Sequence, residues 1–503
     1  MASPQSTRSF CKWAPVWVAF FFVLKASVTS IWIIRPYDIP DEVGHFSYIK
    51  DLAEGEGLPA LHQAPIDVEV WQTFAPENYP DPGMNWIAQH PPLYYVVMVP
   101  VYWIGSWISG SFWGAFYAIR VVTALFFSAG IWVMIRAFQE AGMPFRVGLG
   151  LGIMLVGIPN HTFLAGGVNH DGMVLFFGAS VLYFWVRYLK EKRFADLCFL
   201  GIFAGLACLV KYTLLVMVAP LFLWTLLFWW KNPGASRKAI GIFTALAFLP
   251  IGFWMLRNWV VLGELLPVDT SGFTSENPLQ LSFFQFGRQL PVFSILLDNF
   301  WGLIGWMGDG TMQVRWFSLF SVYRAIYTWI FLGLLLIGFL CLIRKSSLGN
   351  TTNMPGTIGA FTLPAVVFIS GWFGKDDTLT ILVAVSSCAI FGWSLGRSSF
   401  AFCMSEMDTE DWIISGCILV AMVFLIVYLY TIYGFSYSAG SLQGAFARYF
   451  FPVVGFALVG LVARGSQSFR YFGHIILIMA IIYNCNEMYI WLHEVIPFFN
   501  VLQ

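Results

Sequence analysis

Apolar residues run almost unbroken over helix-length stretches of this chain, and polar residues gather in the breaks. The runs at 323–343 and 415–434 are nearly pure and about 20 residues long, enough to span a bilayer. Others cover 13–34, 113–135 and 196–230, the last long enough to cross twice as a tight helical pair. A membrane barrel would alternate apolar and polar residues over short segments instead. The pattern therefore predicts an all-α polytopic membrane protein. The run at 13–34 follows Arg8 and Lys12, as in a signal peptide. It is as long as a true span and ends without a small-x-small cleavage site, so a retained helix is expected.

Composition agrees. Of 503 residues 58% are hydrophobic and 11% charged, and mean hydropathy is +0.73. A soluble domain carries about a quarter charged residues. The 27 basic and 27 acidic residues cancel, so no basic surface for nucleic acid is implied. The eight cysteines are scattered without paired spacing, which argues against a disulfide framework or a zinc site. No metal or other cofactor is expected.

Charge sets the sidedness. Basic clusters at Arg8/Lys12, Arg136/Arg146, Arg187/Lys190/Lys192/Arg193, Lys231/Arg237/Lys238, Arg344/Lys345 and Arg464/Arg470 belong on the cytoplasmic side. Residues 36–90 then face the exterior, and they hold ten acids against one base, Lys50. Only one crossing is allowed between residue 90 and Arg136. The run at 93–109, which contains Pro100, is therefore read as a helix lying in the outer interface. The count comes to about 13 spans, in a range of about 11–13. The loop at 397–411 fits worst, because Glu406, Asp408, Glu410 and Asp411 fall on the basic side. The chain reads as one integral membrane domain, 1–503. Its outer segments are a first loop at 36–90 with interfacial helices continuing to about 109, a turn at 165–172 and a second large loop at 263–318.

The outer segments carry the candidate chemistry. In "RPYDIPDEVGHFSYIKDLAEG", Pro36 and Pro40 stiffen the exit from the first span, so Asp41 and Glu42 sit near headgroup level. A short amphipathic helix bearing His45 follows. A carboxylate on a stiff turn above a helix suits a general base, although an acidic outer loop needs no chemistry to explain it. Asp171, in "GVNHDG", opens a span at the same outer side; it serves either the helix dipole or the site. His90 starts "HPPLYY", with Tyr94 and Tyr95 behind it; it is either an ordinary surface residue or placed to meet a phosphate at the lipid surface. Lys211 in "LVKYT" lies within an apolar stretch, where an ionisable group either snorkels outward or works. Arg257 and Arg448, the latter followed by Tyr449, are expected at outer helix ends. Three cations near two acids suit an anionic lipid headgroup. Trp301, Trp306 and Trp316 are either interface aromatics or sugar-stacking faces. No internal repeat is visible, which disfavours an inverted-repeat transporter.

These motifs together resemble the GT-C fold polyprenyl-phosphate-dependent membrane glycosyltransferases. The acidic pair in "PDEVGHFSYIKDLAEGEGLP", the "HPPLYY" helix, "GVNHDG", "LVKYT" and "RNWVVLGELLP" follow that family's order over residues 13–465. "FWGLIGW" with a late "RYFFP" looks closest to a bacterial domain-of-unknown-function branch. Protein O-mannosyltransferases and the lipid A aminoarabinose transferase are more distant likenesses. His90 stands where the aminoarabinose transferases have lysine. The resemblance implies Asp41 as the catalytic aspartate, with Asp171 as the second-loop acid and Glu42 beside Asp41. Lys211, Arg257, Arg448 and His90 would hold the donor phosphate. His45, Tyr94, Tyr95, Trp301, Trp306 and Tyr449 would contact substrate. The implied activity is inverting transfer of a hexosyl or pentosyl group from a polyprenyl phosphate to an extracytoplasmic glycan, lipid or protein. The expected place is the cytoplasmic membrane, embedded in the bilayer with the site facing outward. The rival is a transporter or lipid flippase of the envelope polysaccharide pathway.

Overall fold

The computed structural model describes residues 4–75, 82–232, 236–269, 275, 277–304, 317–318, 326–327, 329–330, 333, 407–444, 446–468 and 471–501. Most of them are helical. The first long helix, α1 (Pro4–Trp32), leads through the Pro36–Pro40 turn to α2 (Glu42–Glu54), which stops at Gly55 with φ 88°. A left-handed glycine is a common helix stop. After α3 (Val68–Phe74), the Pro91–Pro92 pair starts α4 (Leu93–Ser109). Then come α5 (Phe112–Glu140), α6 (Phe145–Val156) and α7 (Pro159–Ala165). The last two meet at a 69° bend. Pro159 cannot donate there, so the backbone turns.

Four long apolar helices follow: α8 (Asp171–Glu191), α9 (Phe194–Val210), α10 (Leu215–Lys231) and α11 (Arg237–Leu262). Helix α12 (Phe283–Gln289) is closed by a Ser282–Gln285 capping box, and α13 (Val292–Gly302) runs into a two-residue antiparallel pair, β1 (Leu303–Ile304) with β2 (Phe317–Ser318). The C-terminal part contains α14 (Thr409–Ala439), α15 (Val454–Ser468) and α16 (Phe472–Ile490).

Helix α5 is the central post. It packs on α8, with α1 and α4 alongside, while α9 packs on α11, α6 on α16 and α14 on α10 and α15. Between α5 and α8 the backbones nearly touch. A side chain at Gly130 or Gly172 would come within 2.9 Å of the Phe176 amide or 2.6 Å of the Thr123 carbonyl. Small residues at such contacts let membrane helices pack without a hydrophobic driving force between them.

The architecture is that of an all-α multi-pass membrane protein. Among the described residues seven helices are long and apolar enough to cross a bilayer, or eight if α6–α7 is one bent span. The expected 13 spans are therefore not reached there. Helices α4 and α9 are only 17 residues each, and much of the run at 323–343 lies outside the described residues, as does the loop at 397–406. Helix α4 lies antiparallel along the first half of α5, joined by a 3.0 Å Tyr94–Thr123 hydroxyl contact. It leaves Trp103, Ile104, Trp107 and Ile108 exposed.

Of the acids that fitted the charge pattern worst, Asp408, Glu410 and Asp411 have local partners, and Glu406 lies outside the described residues. Asp408 caps the Asp411 amide at 2.8 Å, Asp411 pairs with Arg464, and Glu410 accepts from Gln467 at 2.6 Å. They suit the positive N-terminus of α14 and the Arg464 cation of α15.

Candidate active site

The site is built where the segment between α1 and α2 meets the start of α8. Asp41 is the N-cap of α2 and has φ 65°, ψ 7°. Left-handed backbone is uncommon outside glycine, and aspartate is among the residues that tolerate it. The neighbouring anchor is Glu42. It takes Nε and Nη2 of Arg120 at 2.9 and 2.6 Å, and the Val168 amide at 2.8 Å. Arg120 also donates to the carbonyls of Ser30, Ile34 and Arg35. Both side chains are fully buried. This pair ties together the end of α1, the start of α2, the middle of α5 and the turn before α8. Glu42, expected beside Asp41 as a catalytic acid, instead spends both oxygens on this scaffold.

Asp41 itself has two partners. Its Oδ2 accepts from Arg448 Nη2 at 2.6 Å and its Oδ1 from Trp86 Nε1 at 3.2 Å. Arg448 reaches further, with Nη1 3.9 Å from Asp171 Oδ2. The other oxygen of Asp171 lies 3.7 Å from Lys211 Nζ. Asp171 is the first residue of α8, and its amide is held by Asn169 Oδ1 at 2.9 Å. Lys211 is the C-cap of α9 and sits 4.2 Å over the ring of Tyr449. Thus Asp41, Asp171, Lys211, Arg448 and Tyr449, from four separate parts of the chain, form one buried charge cluster.

Burial lowers Lys211 to about 8, with Asp171 opposing the shift and Arg448 adding to it. Burial also works against the Arg448 charge, but Asp41 and Asp171 outweigh it and hold the guanidinium protonated.

Three histidines adjoin the cluster. The His170 ring lies 4.8 Å from that of His45 and 4.7 Å from that of His90, centre to centre. His170 Nε2 is 3.8 Å from Asp171 Oδ1. His45 Nδ1 meets the Tyr95 hydroxyl at 3.0 Å, and Tyr95 stacks on Tyr48 at 3.7 Å. Burial lowers all three imidazoles well below their ordinary range, helped by Arg448 and Lys211. They are neutral at pH 7, which makes His90 a poor phosphate partner. Among the described residues these histidines and acids make no metal-binding group.

Arg257 lies near the end of α11, as expected, but its partners there are loop carbonyls. Its Nη2 donates to the carbonyls of Leu58 and Pro59 at 3.0 and 3.2 Å, and its guanidinium stacks on Trp254. It clasps the loop after α2 to the end of α11. Trp301 packs against Phe300, Tyr327 and Tyr483, the setting of a core aromatic rather than a sugar platform. Trp306 and Trp316 lie outside the described residues. Sequence reasoning passed over Arg120, Trp86 and His170. For His170 a signal existed, its position next to Asp171 in "NHDG".

A family model described as dolichyl-phosphate-mannose-protein mannosyltransferase matches residues 89–254, less than half of the chain. The matched stretch includes His90, Asp171 and Lys211, and it bears out the resemblance read from the motifs. None of the curated protein sequences compared with the chain matches it. Among solved structures, the S. cerevisiae protein O-mannosyltransferase Pmt1-Pmt2 complex bound to the sugar donor is similar at 16% identity and TM-score 0.38, over 58% of this chain and 36% of that one. The chain thus spans about a third of that mannosyltransferase's length. ArnT from Cupriavidus metallidurans is similar in its apo state at 15% identity and TM-score 0.38, over 92% of this chain and 77% of the other. With undecaprenyl phosphate bound, ArnT is similar at 14% identity and TM-score 0.38, over 93% and 78%.

Proposed function

We propose that this protein is an inverting glycosyltransferase that moves a sugar from a polyprenyl-phosphate donor to a hydroxyl acceptor at the extracytoplasmic face of the cytoplasmic membrane. The observation that carries the reading is that Arg448 is shared between Asp41 and Asp171, with Lys211 on the far side of Asp171. The partial match to the mannosyltransferase family model supports it.

The chemistry follows from the charges. The acceptor oxygen attacks the anomeric carbon, the bond from that carbon to the phosphate oxygen breaks, and a phosphate monoester leaves. That leaving group needs cations and no proton, and Arg448 and Lys211 are the cations at hand. One carboxylate must take the acceptor proton, and Asp41 is assigned that role. A single displacement inverts the anomeric centre; retention would need a second, covalent step. The two cations supply the charge stabilisation that a divalent metal gives elsewhere, so the proposed reaction is metal-independent.

The pairing adds a control. A donor phosphate that draws Arg448 toward itself loosens its 2.6 Å pair with Asp41 and frees that carboxylate oxygen to meet the acceptor hydroxyl as the donor arrives. The reading is tested by mass spectrometry of lipid that copurifies with the protein. Bound polyprenyl phosphate supports it, and tightly held lipids of other classes alone count against it.

One observation favours the transporter reading. Lys25 Nζ pairs with Glu487 at 2.6 Å, and Glu487 accepts from Thr162 on α7, next to the bend between α6 and α7. Transporters place charges at such breaks. Here the ammonium also donates to the Val156 carbonyl at 2.7 Å, so the pair satisfies the open end of α6. Lipid-linked sugar movement across proteoliposomes without any transfer product would favour transport.

A further inference from the structure

His170 raises a separate question. It is 2% exposed, yet neither of its ring nitrogens has a hydrogen-bond partner among the described residues. Nδ1 of His90 is likewise buried and unpartnered. Buried polar atoms are nearly always paired, because leaving one unpaired forfeits its hydration without return. Three such nitrogens within one ring cluster, beside Asp171, mark a place where a ligand makes the missing bonds.

The donor set defines the ligand. A neutral imidazole offers one N–H donor and one lone-pair acceptor. A sugar or polyol hydroxyl also both donates and accepts. Phosphate oxygens at this pH mainly accept, and the imidazole lone pairs would repel them. The cations that suit phosphate, Lys211 and Arg448, pair with the same acids, and Lys211 faces the Asp171 oxygen that His170 also approaches. Tyr95, held by His45 Nδ1, adds another hydroxyl to the same wall.

We propose that His45, His90 and His170 form a neutral subsite for a hydroxyl-rich group, the glycosyl unit of the donor or the sugar of the acceptor, seated beside Asp171. This rests on the transferase reading and sets the groups that meet hydroxyls directly beside those that meet phosphate.

The test compares binding of bare decaprenyl phosphate with binding of decaprenyl-phosphoryl hexoses and pentoses, using purified full-length protein. His170→Phe removes the unpaired nitrogens and keeps the ring volume. It should raise the melting temperature while lowering affinity for the best glycosylated lipid about tenfold relative to the bare lipid, the loss of about one hydrogen bond. His170→Gln, which keeps a donor and an acceptor, should restore most of the discrimination. A second arm titrates methyl hexosides onto protein saturated with bare decaprenyl phosphate. Loss in this arm alone places the hydroxyls on the acceptor, and loss in the first places them on the donor. Unchanged behaviour of His170→Phe in both arms, or a lowered melting temperature with intact discrimination, overturns the subsite. If the wild-type protein binds neither form of the lipid, the transferase reading itself falls and takes the subsite with it.

Discussion

Arg448 donates a 2.6 Å hydrogen bond to Asp41 across 407 residues of chain, and its other terminal nitrogen lies 3.9 Å from Asp171. One guanidinium therefore connects the turn before α2, the start of α8 and the turn after α14. Its planar fork has five donors at fixed angles, which a lysine cannot reproduce. In the proposed mechanism this residue moves between Asp41 and the donor phosphate.

Replacement of Arg448 should therefore separate charge from geometry. Arg448→Lys keeps the charge and is expected to weaken binding of polyprenyl phosphate by about tenfold or more, the cost of one charge-assisted hydrogen bond. Arg448→Ala should weaken it further. Scintillation proximity binding with labelled lipid phosphate reads this directly, and wild-type affinity in Arg448→Ala would remove the residue from donor recognition.

Lys211 gives the site an alkaline limit. Burial brings it down to about 8, so it carries its charge below that pH and loses it above. Phosphate binds the protonated form, so binding above about pH 8 must also recruit a proton. Affinity should then fall by up to about tenfold per pH unit. Lys211→Arg should abolish this fall. A donor-binding curve that stays flat from pH 7 to 9.5 in the wild type would contradict the role.

The histidines predict an acid limit on stability. His45 and His170 are held neutral in the folded state by burial, while in the unfolded chain they titrate near 6.5. Below that pH the unfolded state takes up protons that the folded state refuses, so stability drops as pH falls. The slope is up to about 1.4 kcal/mol per pH unit for each of the two. His90, which is partly exposed, adds less. Melting curves in detergent between pH 7 and 5 should show this loss, and the double variant His45→Phe/His170→Phe should flatten it.

Glu42 separates scaffold from chemistry. Glu42→Gln strands the Arg120 guanidinium in a buried setting, which costs about 3–5 kcal/mol where a buried pair is broken. The expected outcome is a sharply lower melting temperature and poor yield. Folded Glu42→Gln protein should retain the pH dependence of donor binding set by Lys211. A variant of normal stability that has lost only turnover would return Glu42 to the catalytic group.

Much of the site was legible because membranes make charge conspicuous. Asp41, Asp171, Lys211 and Arg448 each interrupt or bound an apolar run, and the positive-inside pattern then places them together at one end of the bundle. Pairings could not be read this way. Arg120 sits in "FYAIRVVTALFF", where nothing local says that its partner is Glu42, 78 residues away. Arg257 bore the same signature as Arg448, yet it finds loop carbonyls instead of acids. His170 carries no charge, so it left no mark on the charge pattern. The fold class followed from run length alone. The span count did not, because a 17-residue apolar helix such as α4 reads like a crossing whether it passes through the bilayer or lies along α5.

The central claim is that Asp41 takes the acceptor proton while the cations hold the lipid phosphate. Asparagine tolerates the left-handed backbone of this position as aspartate does, so Asp41→Asn changes the base and spares the turn. The decisive measurement is sugar transfer from a polyprenyl-phosphate donor by wild-type and Asp41→Asn protein in proteoliposomes containing EDTA, with donor binding measured in parallel. Turnover is predicted to fall at least about 100-fold while donor binding is kept. Wild-type turnover in a well-folded Asp41→Asn protein would contradict the account.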